Sequence, residues 1–270
     1  MNIVLFGGKN TGRALLDYLL PRETIQAVVV NADDEQQGQW YPSVGQEARA
    51  HDIPVLCPTD PNDPRFVQQI EQMQPDMLIS AEYDTPLGDA FMPPNMPRHL
   101  QVSLCLIDKI RGNFPITWAI LKGHKTTGAS LYFLTHNADR VEMAGQVSIP
   151  IEHTDTARTL YEHVTEAASE LFASAWDLVK RGRVSTREID LGEVPWYGAA
   201  YPARALNFEG SGMDVWNQIR AHLFEPYPGP HVDIGGIRYE VRSDLPDIRL
   251  VETLRETVRR ERRPTTSSFD

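Results

Sequence analysis

The chain is short of cysteine, of positive charge and of long apolar runs, and each shortage removes a class of protein. Its two cysteines, Cys57 and Cys105, stand 48 residues apart with no Cys-x-x-Cys spacing, so neither a disulfide framework nor a cysteine-based metal site is expected. A reducing, cytoplasmic setting fits that usage. There is no run of 18 apolar residues, and the first residues lack a basic segment leading into an apolar one. The expectation is an unprocessed chain with no membrane contact. Against 37 acidic residues there are only 26 lysines and arginines, a net charge of -11, which disfavours nucleic acid and anionic lipid as partners. A small molecule is favoured, with a homodimer left open.

Common site signatures are missing too. Gly7-Gly8-Lys9-Asn10-Thr11-Gly12 is neither a Gly-x-Gly-x-x-Gly turn nor a P-loop, and no Gly-x-Ser-x-Gly elbow surrounds Ser103.

What is present suits a folded α/β protein. At 41% hydrophobic and 23% charged residues the composition is globular, and 270 residues bury roughly 73% of the unfolded surface, enough for a full core. Ile3 to Phe6 is a short apolar run closed by Gly7-Gly8 and followed by helical spacing at Leu15, Leu16, Leu19 and Leu20. Ala27 to Val30, Pro54 to Leu56 and Met77 to Ser80 repeat the strand signal, with helical stretches at 44–51 and 66–73 between them. This alternation predicts βαβ units and a mostly parallel sheet. Further on, strands are expected at 101–107, 129–134 and 147–151, with a helix at 116–122 and a long one at 156–181. Val194 to Gly198 reads as a domain edge. The expected organisation is 1–190, a small β-rich module over 191–253, and a tail over 254–270 whose five arginines face three acids.

Several blocks together resemble the folate-dependent formyltransferases, with the sugar N-formyltransferases nearest in look. They are Arg111-Gly112-Asn113-Phe114-Pro115-Ile116-Thr117-Trp118 with Thr127-Gly128, the upstream Gly38 to Val44, His51 to Val55 and Gln74-Pro75-Asp76, and the downstream Ile219-Arg220-Ala221 with Pro226-Tyr227-Pro228-Gly229. The resemblance runs in register over roughly residues 1–243. It implies a Rossmann-like formyltransferase domain and transfer of a formyl group from 10-formyltetrahydrofolate to an amine, carried by an Asn-x-His pair and an aspartate. Here the Asn position holds Gln101, the His position Ser103 and the aspartate position Asp139. The usual Leu-Leu-Pro reads Leu106-Ile107-Asp108.

The family chemistry needs an amide and an imidazole for the oxyanion and a group to move protons. Gln101 keeps the amide, displaced by a methylene, whereas Ser103 cannot act as a base near neutral pH. Three readings stay open: formyl transfer with Asp139 as acid or base, a repurposed enzyme doing carbamoyl transfer, cyclisation or hydrolysis, and a binding protein without catalysis. The resemblance places the pterin near Tyr83, Thr85, Leu87, His136, Asn137 and Arg111. Arg140, following Asp139, is expected to crowd that pocket. Gly8, Lys9 and Asn10 are candidates for holding a substrate phosphate or carboxylate at a helix N-terminus, and Asp108 for a cationic group. Cys105 is expected on the same strand and face as Ser103, lining the pocket.

Overall fold

The computed structural model describes residues 1–252 except Pro93, Asn95, Leu245 and Pro246; the basic tail expected at 254–270 lies outside the described residues. The first half is built from strands β1 (Asn2–Gly7), β2 (Thr24–Val29), β3 (Val55–Leu56), β4 (Met77–Ala81) and β5 (His99–Ser103). Helices α1 (Lys9–Leu19), α2 (Val44–Ala50) and α3 (Pro64–Gln72) alternate with the first four. After β5 come β6 (Arg111–Gly112), α4 (Pro115–Leu121), β7 (Thr126–Leu134), β8 (Arg140–Pro150), α5 (Ala157–Lys180) and β9 (Arg187–Asp190).

One eight-stranded sheet runs β3-β2-β1-β4-β5-β7-β8-β9. Its first five strands are parallel, and β7, β8 and β9 extend it antiparallel. The strand order reverses between β1 and β4, and in open α/β sheets that is where a ligand crevice opens beyond the strand ends. Alternation along β1 divides the core. Ile3 and Leu5 pack with Leu15, Leu16, Phe172 and Trp176 of α1 and α5. Val4 and Phe6 pack on the other face with Phe66, Val67 and Ile70 of α3. A strand buried on both sides must be apolar throughout, which is why Ile3 to Phe6 reads as an unbroken run. Gly12 lets α1 lie directly on β1, since a Cβ there would sit 2.9 Å from the Gly7 backbone.

The remaining elements are β10 (Trp196–Tyr197), α6 (Gly212–Ala221), β11 (His231–Ile234), β12 (Ile237–Asp244) and β13 (Asp247–Glu252). The last three form a small antiparallel sheet. Residues beyond 190 also reach back into the larger body. β10 pairs with β6, and the Arg220 side chain on α6 donates to the carbonyls of Glu152 and Asp155.

The strand expected at 101–107 ends at Ser103. Beyond it the Lys109 and Ile110 amides turn back to the Leu106 carbonyl, and the Ile107 amide is taken by Ser130 Oγ. Cys105 therefore leaves the strand and does not share its alternation. It lies 2% exposed among Ile107, Ile110 and Tyr132. Burial pushes its thiol up to about 12, so it is a core residue and not a pocket nucleophile.

Candidate active site

Two clusters of polar side chains are held at the ends of these elements. The first occupies the crevice between β1 and β4. Lys9 and Glu82, which follow those strands, both take left-handed backbone conformations (φ 52° each), a strained choice for non-glycine residues. The Glu82 carboxylate accepts from the Thr11 amide at 2.9 Å and from the Tyr161 hydroxyl at 3.0 Å. The Gly8 amide is committed to the Ala81 carbonyl. A Cβ on Gly8 would sit 2.5 Å from the Glu82 carbonyl oxygen, so this close approach requires glycine. A carboxylate of the protein itself thus stands at the N-terminus of α1. Burial raises the Glu82 pKa against the opposing pull of Lys9 and the Thr11 and Tyr161 donors. Lys9 Nζ is bound to Asp84 at 2.6 Å, and α2 is closed in the same manner, its Val44 and Gly45 amides donating to the buried Asp34 carboxylate. Trp40, Phe224 and Tyr227 continue from Tyr161 as an aromatic wall, with the Arg158 guanidinium 4.9 Å from the Trp40 ring centre.

The second cluster lies where β5 meets β7. Gln101 pairs in register with Tyr132 and Ser103 with Ser130. Ser103 Oγ and the Tyr132 hydroxyl are 2.8 Å apart. Ser130 Oγ donates to the Cys105 carbonyl, and Gln146 Nε2 reaches both Ser130 Oγ (3.0 Å) and Asp108 Oδ1 (2.8 Å). Asp139 stands on the turn between β7 and β8, whose geometry is fixed locally. Its amide donates to Asn137 Oδ1, Thr135 Oγ1 donates to the Asn137 and Arg140 carbonyls, and the Leu191 amide bonds to the Asp139 carbonyl. Both terminal nitrogens of Arg111 lie 3.2 Å from Asp139 Oδ1. Gly112 makes that reach available. Its φ is +102°, and a Cβ would come within 2.0 Å of the Tyr197 carbonyl oxygen, so only glycine permits the β6–β10 pairing that seats Arg111.

The formyl transferase family model matches residues 1–176, about two thirds of the sequence and both clusters. The chain belongs to the formyl transferase family.

Solved structures extend that likeness past the matched segment. WlaRD, a sugar 3N-formyltransferase crystallised with dTDP and 5-N-formyl-tetrahydrofolate, is 17% identical with a TM-score of 0.71, over 90% of this chain and 87% of its own. An N-formyltransferase from Helicobacter canadensis, in complex with folinic acid and dTDP-3-aminofucose, is 18% identical with a TM-score of 0.72, over 91% and 89%. A 4-N formyltransferase from Francisella tularensis is 13% identical with a TM-score of 0.67, over 93% and 96%. At such identities the likeness is one of fold.

In this family member the predicted residues fall into separate places. Gln101 and Ser103 share one side of β5, while Arg111, Asp139, His136 and Asn137 meet at the β7–β8 turn, with His136 and Asn137 exposed. Asp108 joins the Ser130–Gln146 network. Tyr83 packs edge-on against Phe6 at 5.4 Å and Leu87 lies against the same core cluster, leaving Thr85 exposed. Arg140 does not crowd the turn, because its guanidinium points along β9 to Glu188 (2.6 Å) and Asp190 (3.9 Å). Tyr132, Gln146 and Tyr161 join these clusters without standing in any motif of the sequence. Tyr132 carried one usable signal, a phenol within a strand otherwise rich in apolar residues, where a buried hydroxyl needs a partner.

Proposed function

We propose that this protein transfers a formyl group from 10-formyltetrahydrofolate to the primary amine of a small metabolite, with a nucleotide-linked amino sugar as the first acceptor class to try. The observation that carries the reading is the meeting of Gln101, Ser103 and the Arg111–Asp139 pair with family membership. Motif spacing is our ground for putting these side chains at the family's catalytic positions, and β5, β7 and the β6–β10 pairing hold them. The relatives crystallised with a formyl-folate or folinic acid and with dTDP or a dTDP-amino sugar support the same choice of substrates.

The residues present fit a folate in kind. Leu87 offers apolar surface, the 135–139 turn is closed by its own hydrogen bonds, and Arg111 supplies a cation beside it. The donor brings a formyl carbonyl attached to nitrogen. Within this chain, the Gln101 amide and Ser103 hydroxyl would donate to the carbonyl oxygen as negative charge develops, and Asp139, steadied by Arg111, would take a proton from the attacking amine. For a nucleotide sugar, Trp40 and Tyr227 provide stacking surface. The diphosphate would not use the α1 N-terminus, where the Glu82 carboxylate already takes the Thr11 amide. We further propose that residues 191–252 act as an appendage that closes over the larger domain through β10 and α6.

The test is incubation of the purified protein with 10-formyltetrahydrofolate and dTDP-amino sugars, with mass detection of the N-formyl product and a thermal shift by folinic acid. Product and a raised melting temperature are expected. Neither, across the amines tried, would remove the reading. A repurposed activity is favoured by one observation, the serine at position 103, which cannot act as a base near neutral pH. It predicts turnover with carbamoyl phosphate or hydrolysis of an amide where formyl transfer fails.

A further inference from the structure

We infer that Tyr132 is a positioning residue, one that makes the Ser103 hydroxyl a directed hydrogen-bond donor to the reacting carbonyl. The inference rests on the formyl-transfer reading and deepens it, by saying how the site works with serine where the family pattern has histidine.

Register comes first. Tyr132 stands directly opposite Gln101 across β5 and β7, so its side chain leaves the sheet on the face that carries Gln101 and Ser103. The ring is 4% exposed and packed among Cys105, Ile107, Ile110, Val141 and Met143, which fixes where its hydroxyl can be. That hydroxyl bonds to Ser103 Oγ at 2.8 Å. Burial raises the phenol's pKa well above its ordinary value, so the group remains a neutral O–H with a proton to place.

The direction of the bond follows from what each partner loses otherwise. Ser103 Oγ is the hydrogen-bond partner the Tyr132 hydroxyl has, so a phenol that only accepted there would leave its own proton unpaired on a 4% exposed residue, whereas Ser103 is half-buried at the end of β5. Tyr132 therefore donates, Ser103 accepts, and the serine's own proton is free for a third group. That group lies on the open side of Ser103, next to the Gln101 amide. Two donors from adjacent outward positions on one strand then converge on one oxygen, as an oxyanion site requires. No covalent bond to either hydroxyl forms or breaks, and the amine's proton leaves by another route. A serine so oriented supplies the hydrogen bond that an imidazolium would give but not the base.

Steady-state kinetics of four variants test the arrangement, each first checked for a cooperative melt. Ser103→Ala is expected to lower kcat by about 10²- to 10³-fold, the loss typical of one oxyanion donor. Tyr132→Phe keeps the ring and its packing and is expected to lower kcat by about 5- to 10-fold with KM unchanged, the scale of one hydrogen bond. Because Tyr132 acts through Ser103, the double variant should be no slower than Ser103→Ala alone. Ser103→Thr, which keeps the hydroxyl, should recover most of the rate. Full kcat in Tyr132→Phe, or losses that multiply in the double variant, would overturn the inference while formyl transfer stands. Absence of turnover in the unmodified protein would instead remove the functional reading and the inference with it.

Discussion

Substituting histidine for Ser103 probes the space around Tyr132. The phenol oxygen lies 2.8 Å from Ser103 Oγ, already at hydrogen-bonding contact. In the serine rotamer the histidine Cγ would stand roughly where Oγ stands, and the rest of the imidazole would extend into the phenol. Tyr132 has little freedom to yield, since it is 4% exposed and packed against Ile107, Ile110 and Met143. Overpacking of this kind costs about 1–3 kcal/mol. For a chain of this size that corresponds to a fall in melting temperature of roughly 2–12 °C. Tyr132→Ala alone should cost about 3–5 kcal/mol, as other large aromatic truncations do. Combined with Ser103→His it should cost less than the sum by about 1–3 kcal/mol, because the imidazole then occupies vacated volume. Thermal unfolding of the four proteins reads the coupling. An unchanged melt for Ser103→His, or additivity within about 0.5 kcal/mol, would refute the claim that the two side chains compete for one space.

Three further outcomes follow from the geometry. Gly112→Ala should abolish the β6–β10 pairing, since its Cβ would sit 2.0 Å from the Tyr197 carbonyl oxygen; loss of protection for the Arg111 and Asn113 amides in hydrogen exchange checks this. Asp139→Asn should lower turnover by about 10²- to 10⁴-fold with little change in melting, because its pair with Arg111 is 60% exposed on the acid's side and such pairs contribute at most about 1 kcal/mol. Burial raises the folded pKa of Glu82 above the usual carboxylate value, so its stabilising contribution is complete below that usual value and is lost as pH rises through the folded one. Glu82→Gln, which keeps an acceptor for the Thr11 amide, should therefore melt above the unmodified protein near about pH 8, with the gap closing toward about pH 4. A gap that does not change with pH would contradict the assignment.

Much of the fold was legible because parallel strands buried on both faces must be apolar throughout. Ile3 to Phe6, Ala27 to Val30 and Met77 to Ser80 announce themselves, and α1 and α5 follow from helical spacing. Where one strand ends was less legible. Leu104 to Ile107 is more apolar than β5, yet it turns away, with its Ile107 amide taken by Ser130 on a strand more than twenty residues later. The direction of Arg140 was hidden for the same reason, since Glu188 and Asp190 come beside it only when β9 joins the sheet.

The sequence by itself determined the family and much of the order of strands and helices, and it singled out Gln101, Ser103, Arg111 and Asp139 as candidates, because motifs at fixed spacing survive as linear text. Only the tertiary structure decided what those residues touch. It set Tyr132 against Ser103, put Arg111 on Asp139, and stood the Glu82 carboxylate at the α1 N-terminus. Each is a contact between segments far apart in the chain, and a hydrogen bond needs its donor and acceptor within about 3 Å, a distance that only folding fixes.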